Sequence, residues 1–395
     1  MNILFITHGK PEVPGKGDQV RAFQQIKSLL KKGHTVHCLF QEKNEAYWCC
    51  ATSIINGESK EKHKIKTKSK HLSVAKSFFL KGYPLSVSLH SFPTLKGFLK
   101  QITDQTHYDV VQIQSKVLHN FSTNSIPGST VLIDYIDAIS LNLERRYKWT
   151  KKPLEKLAVK GELGRMKKYE TFIKKQCSKA IIISPADKEF LHLRRVSQVD
   201  VVPNYIDLAY FHMNKFVENR KKAIVFTGTM GYAPNIDAAV RLVKDIYRPL
   251  KKKFSDLECW IVGANPAAEV KKLNKIEGVT VTGFVEDIRE WQWKAAVYVC
   301  PLRFGAGQQN KILEAAALGC PIVMSNVTNS GIGFTNNEEA IICESNKEFV
   351  AQTEQVLLNQ NLAESLAKQA SHFVASHFSE EIVANQLVSA YRGTD

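Results

Sequence analysis

The chain has 395 residues, 44% of them hydrophobic and 23% charged; this is the composition of a globular protein, and the length exceeds what one core organises, so two domains of roughly 150 to 200 residues are expected. No apolar run approaches the ~20 residues a membrane-spanning helix needs, residues 1–8 read as a first strand rather than a secretory leader, and the eight cysteines show neither a C-x-x-C pair nor a cysteine/histidine metal spacing, which fits buried thiols in a reducing cytoplasm. The net charge of +16 is lopsided: residues 1–200 hold 34 Lys/Arg against 17 Asp/Glu, and the remainder holds 20 against 21, so the first half is expected to face an anionic surface, most densely through Lys60–Lys70 and Lys148–Lys175.

In chain order, residues 3–7 read as a buried strand, residues 9–18 as a polar Gly/Pro loop, and the following stretch as a helix with Val20, Phe23, Ile26, Leu29 and Leu30 on one face. Gly33 stops that helix before a strand at 35–40, which completes a β-loop-α-β unit of a parallel sheet. Further strands are predicted at 110–113, 131–134 and 180–184, with a long basic helix at 154–175 before the last. The second half repeats the alternation: strands at 223–228, 258–263, 279–282, 297–301 and 321–325, with helices at 235–246, 269–276, 288–294 and 308–318. A helix at 380–391 follows. The pattern predicts an α/β protein of two Rossmann-like, doubly wound parallel-sheet domains facing a cleft, 1–203 and 204–375, with 376–395 packing back on the first.

The segment Pro301-Leu-Arg-Phe-Gly-Ala-Gly-Gln-Gln-Asn-Lys311-Ile-Leu-Glu314 carries the chemistry. A strand ends, Gly305, Ala306 and Gly307 allow a ligand to approach the backbone, and a helix opens with amides that lack intrahelical partners. Such a terminus suits a phosphate, and Arg303 and Lys311 add full charges. Glu314, seven residues after Gly307, falls on the same helix face about two turns in, where a carboxylate can accept hydrogen bonds from paired ribose hydroxyls. No Ser/His/Asp, Cys/His or paired-carboxylate arrangement marks a dedicated base, and no Asp-x-Asp marks a metal site. The lysine runs lack interleaved aromatics and any zinc, RRM or helix-turn-helix pattern, so a nucleic-acid-binding reading is remote and nucleic acid is not expected as a partner.

The Gly-Ala-Gly loop and the run Lys311-Ile-Leu-Glu-Ala-Ala-Ala-Leu-Gly-Cys-Pro-Ile-Val resemble the donor motif of retaining glycosyltransferases of family 4, which have the two-Rossmann GT-B architecture. Val201-Val-Pro-Asn-Tyr-Ile-Asp207, Val225-Phe-Thr-Gly-Thr-Met230 and Val281-Thr-Gly-Phe-Val-Glu-Asp287 agree in order and spacing. The resemblance implies transfer of a sugar from a nucleotide diphosphate sugar to a saccharide or lipid-linked acceptor, with no cofactor and no metal. A cytoplasmic location is expected, with the basic first half drawn to anionic lipid at the inner face of the cytoplasmic membrane, where such acceptors reside. It implies donor binding by Gly17, Asp18, Arg21, Thr229, Asn235, Gly263, Phe284, Val285, Arg303, Gly305, Ala306, Gly307, Lys311, Ile312 and Glu314, and catalytic roles for Lys311, Glu314 and Asp137. Three departures stand out. Ala306 replaces the first of two glutamates usual in the family, Thr229 and Asn235 replace a diphosphate-binding Arg and Lys, and Gln114 stands where a His is common. A nucleotide-sugar epimerase of the same architecture is the alternative reading.

Overall fold

The computed structural model describes residues 1–13, 15–42, 45–57, 63–66, 70–92, 94–121, 126, 128–193, 196–213 and 220–393. These form two compact units, Met1–Asn204 with Val383–Asp395, and Tyr205–Ile382. Most of the Lys60–Lys70 run lies outside the described residues.

The first unit is built on an eight-stranded sheet. Its strands are β1 (Asn2–Thr7), β2 (Thr35–Glu42), β3 (Glu45–Cys50), β4 (His63–Lys66), β5 (Val110–Gln114), β6 (Thr130–Asp134), β7 (Lys179–Ile182) and β8 (Gln198–Val201), in the order β4-β3-β2-β1-β5-β6-β7-β8. From β2 to β8 the neighbours are parallel. Helices on both faces bury such strands on both sides, which is why Ile3 to Ile6 is a continuous apolar run with every side chain buried. The helix Gly17–Lys31 returns the chain from β1 to β2 and buries Ala22, Ile26 and Leu29 at a helical spacing. The sheet departs from the all-parallel expectation at one edge, where β3 and β4 run antiparallel to their neighbours. From Val383 onward the helix Glu380–Arg392 belongs to this unit, and the Tyr391 hydroxyl donates to Gln112 Oε1 at 2.6 Å on β5.

The second unit is a fully parallel six-stranded sheet of β9 (Lys221–Thr227), β10 (Glu258–Val262), β11 (Val279–Gly283), β12 (Ala295–Cys300), β13 (Ile322–Ser325) and β14 (Ile341–Cys343). The order β11-β10-β9-β12-β13-β14 is the doubly wound one, with its reversal between β9 and β12. The predicted helix at 235–246 begins at Ala233 and passes at Leu242 into a π-helical turn, so one apolar face continues from Ala238 to Leu250. Two helices absent from the sequence reading, Asn346–Leu358 and Gln360–His377, complete the core through Phe349, Val356, Leu366 and Ala370.

Candidate functional site

In an open parallel sheet, ligands bind beyond the carboxyl ends of the strands, where the order reverses and successive loops part in opposite directions. The second unit puts its motifs at that place. β9 ends at Thr227 and β12 at Cys300, and the loops that follow lead into the helices Ala233–Arg241 and Asn310–Ala317.

Glycine is required at this rim. Gly228 donates its amide to Val262 and Gly263 donates to Gly283, at 3.0 and 3.1 Å, so the ends of β9, β10 and β11 lie edge to edge. A Cβ on Gly263 would fall 1.9 Å from the Gly228 carbonyl oxygen, and its φ is +144°, a combination no other residue accommodates. Gly307 has φ +67°, which turns the loop after β12 into its helix. Thr229 is exposed. Asn235 is buried and donates from Nδ2 to the Thr229 carbonyl at 3.0 Å.

The helix Asn310–Ala317 has no side-chain cap at Gln309 and no acidic residue in its first turn, so no carboxylate of its own competes for its positive end. Lys311 rises from that turn, donates to Asn235 Oδ1 at 2.5 Å and sits 4.6 Å from the centroid of the Phe226 ring. Burial lowers its pKa, against the pull of Cys300 and Glu314. One turn on, burial pushes the Glu314 carboxyl up to about 7, and Lys311 acts in the opposite direction. The two charges thus face one crowded space and each tunes the other.

Several expected donor contacts stand differently. The Arg303 guanidinium is held by both carboxylate oxygens of Asp237, so it is a paired charge at the edge of the loop. The Ile312 side chain is wholly buried in the core, because its position faces the sheet; only its backbone lies near the rim. Ala306 and Gly307 are half-buried and Gly305 is buried. In the loop after β11, Phe284 is exposed and Val285 packs on the core.

The first unit holds the remaining candidates. Arg21, expected to close over a donor, is instead an internal cation, 1% exposed. Its Nε and Nη2 donate to the two oxygens of Asp134 at 2.9 and 3.2 Å, and Nη1 donates to the Val202 carbonyl and to Asn204. A helix face of alternating polar residues conceals the partner, which comes 113 residues later. Gly17 opens the helix with clear space around its Cα. Asp18 in that first turn bonds the His8 ring at Nε2 and lies 3.5 Å from Lys116 Nζ. Burial works against its ionisation, but the bond to His8 and the charges of His8 and Lys116 prevail, and the carboxyl is held well below the usual range.

Asp137 follows β6 through Ile136, a β-branched residue at φ +65°. That strained turn is held by the Ile136 amide donating to Asp134 and its carbonyl accepting from Ile183. Burial, with the like charge of Asp187, raises the Asp137 carboxyl to about 7. The sequence reading missed His8 and Lys116; the signal for His8 was an ionisable residue directly after a strand that enters a Gly-rich loop. Among the described residues no group of three or more His, Cys, Asp or Glu side chains is gathered for a metal ion, and no helix is long and apolar enough to cross a membrane.

Residues 221–359 match the family described as glycosyl transferases group 1. A 2-deoxystreptamine N-acetyl-D-glucosaminyltransferase from Niallia circulans is 25% identical over 183 residues, 43% of this chain and 45% of that protein; the chain thus spans less than half the length of this curated relative. Among solved structures, a sucrose-phosphate synthase from Thermosynechococcus elongatus superposes with a TM-score of 0.68 at 16% identity, covering 99% of this chain and 98% of the other. The HepE protein of Anabaena in complex with UDP superposes at 0.66 and 13% identity, covering 99% and 100%. These likenesses establish the fold over nearly the whole length.

Proposed function

We propose that this protein is a retaining glycosyltransferase, a reading supported by the match of residues 221–359 to the group 1 glycosyl transferases and by the fold likeness along nearly the whole chain. It moves a sugar from a nucleotide diphosphate sugar to a glycan or lipid-linked acceptor at the cytoplasmic face of a membrane, in the assembly of a surface polysaccharide or glycoconjugate. The observation that carries the reading is the rim of the second unit: a helix start without a carboxylate of its own, Lys311 within it, and glycines that let a ligand approach the backbone.

Cleaving the bond between sugar and diphosphate leaves negative charge on phosphate while the sugar carbon becomes cation-like. The amides opening Asn310–Ala317 and the Lys311 ammonium stabilise that leaving charge, the kind of fixed electrostatic aid that dominates such catalysis. The Glu314 carboxylate accepts hydrogen bonds from the ribose, and the exposed Phe284 ring offers a face for the base. The acceptor attacks from the leaving group's own side, and a phosphate oxygen takes its proton. Lys311 and the helix end supply positive charge, so the reaction is proposed to run without a metal. Because HepE is seen with UDP and with UDP-glucose, uridine nucleotides head the donors to test.

The test is a thermal-shift panel of nucleoside diphosphates and their sugars, followed by product analysis with and without acceptor. At least one uridine or guanosine nucleotide is expected to raise the melting temperature, since a ligand that binds only the folded state stabilises it by mass action. No stabilisation by any member overturns the donor site. Conversion of the donor sugar without acceptor would instead identify an epimerase.

A further inference from the structure

The first unit exposes large apolar side chains where a globular surface normally shows polar ones. Along the helix Pro153–Gln176, Leu154 is 85% exposed and Leu157 69%. They lie three residues apart on one face, opposite the side that buries Val159, Met166, Tyr169 and Ile173. Phe79 and Leu80 are 76% and 77% exposed on a segment that packs further along the same helix. Their segment is fixed against the helix: Arg165 donates to the Phe78 carbonyl at 3.1 Å and lies 3.8 Å over its ring, and Glu162 accepts from the amides of Leu85 and Ser86 at 3.1 and 3.3 Å. Trp149, half-exposed, ends the preceding helix four residues before Pro153.

The charge around these side chains is predominantly positive. Lys76, Lys148, Lys151, Lys152, Lys160 and Lys168 are exposed on the same elements or the turn between them. The carboxylates on these helices are engaged, Glu144 with Lys167 at 2.9 Å, Glu155 with Arg146 at 2.8 Å and Glu162 with the backbone amides. An apolar patch ringed by cations matches the boundary of an anionic bilayer, where leucine and phenylalanine enter the acyl region, tryptophan sits at the headgroups and lysine ammonium groups meet phosphate.

The geometry points to a membrane-docking face in the first unit, formed by Leu154, Leu157, Phe79, Leu80 and Trp149 with their flanking lysines, that seats the protein on anionic lipid by shallow insertion. This deepens the membrane part of the reading above and is independent of the donor site. It moves the contact from a lysine run acting at a distance to an apolar wedge held by a folded helix, so binding depends on both charge and insertion.

The experiment is co-sedimentation of the full chain with vesicles of phosphatidylcholine alone or mixed equally with phosphatidylglycerol, comparing wild type with Leu154→Ser/Leu157→Ser and with Phe79→Ser/Leu80→Ser. Wild type is expected to bind the anionic vesicles, and each double variant to bind them at least ~10-fold more weakly at unchanged charge. The positions are exposed, so equal melting temperatures show that the variants are folded. Undiminished binding by both variants, or equal wild-type binding to the neutral vesicles, overturns the proposal. So does a wild-type dimer that the variants dissolve without change in vesicle binding, since the face then belongs to a second copy. Nucleotide-induced stabilisation is read in the same samples; its absence throughout would count against the donor site while leaving the docking result intact.

Discussion

The two units share a topology and use it in opposite ways. Each reverses its strand order once near its centre, at β1 and β5 in the first and at β9 and β12 in the second, and each sends a helix out from the reversal. In the first unit the place is filled. Asp18 occupies the helix start and bonds His8, and the Arg21–Asp134 pair lies beneath with every guanidinium nitrogen engaged. In the second unit the helix on the other side of the reversal, after β12, carries no acid in its first turn, its neighbours are glycines, and its lysine leans on a neutral amide. A parallel sheet therefore offers an anion site without guaranteeing one; whether the chain places its own carboxylate at the helix start decides the matter.

The strongest way to break this contrast is Arg21→Ala. If the first reversal is a structural plug, Asp134 is left buried without its cation, and folding stability should fall by about 3–5 kcal/mol in urea unfolding. A loss under about 1 kcal/mol would mean that Arg21 is not integral to that core. Next in size is Lys311→Ala, which should leave the melting temperature close to wild type but reduce nucleotide-sugar turnover at least ~10-fold, the loss of about 1.4 kcal/mol from one charge-assisted contact. Wild-type turnover in that variant would remove the anion site from the second unit.

The smallest effect sharpens the comparison through pH. Burial raises the folded-state pKa of Glu314 to about 7, so its contribution to the stability of the unliganded protein is present in full below the ordinary glutamate value and is lost as pH rises through 7. A nucleotide sugar whose ribose donates to the carboxylate needs the ionised form. Its affinity should therefore rise roughly five- to tenfold from about pH 6 to about pH 8. Calorimetric titration of wild type and Glu314→Gln should show the slope in the first and a flat response in the second. A wild-type affinity independent of pH would detach Glu314 from the ligand.

What the residues revealed beforehand follows the range of the interactions involved. Strands and helices with strong periodicity were legible, down to the alternation of both sheets, because local patterning determines them. The β3–β4 edge was not: after Glu45 the strand puts apolar or aromatic side chains on both faces and so lacks a clean alternation, and its register depends on neighbours supplied by β2. The glycine rim was legible because a loop that runs into a helix has a local signature. The burial of Arg21 against Asp134 and the approach of Lys116 to Asp18 were not, since each joins residues separated by the length of several elements. Arg303 illustrates the same limit in the second unit, as its partner Asp237 comes from the helix after β9, and nothing in the motif announces it.

The Tyr391 hydroxyl bond to Gln112 gives the first unit a requirement that the second lacks. Residues 205–382 form one continuous stretch, whereas the first unit draws on residues from both sides of it. Strand β5 gains its bond to Tyr391 only once residues 383–393 have been made, so truncation within that last helix removes a partner from the core of the unit encoded first.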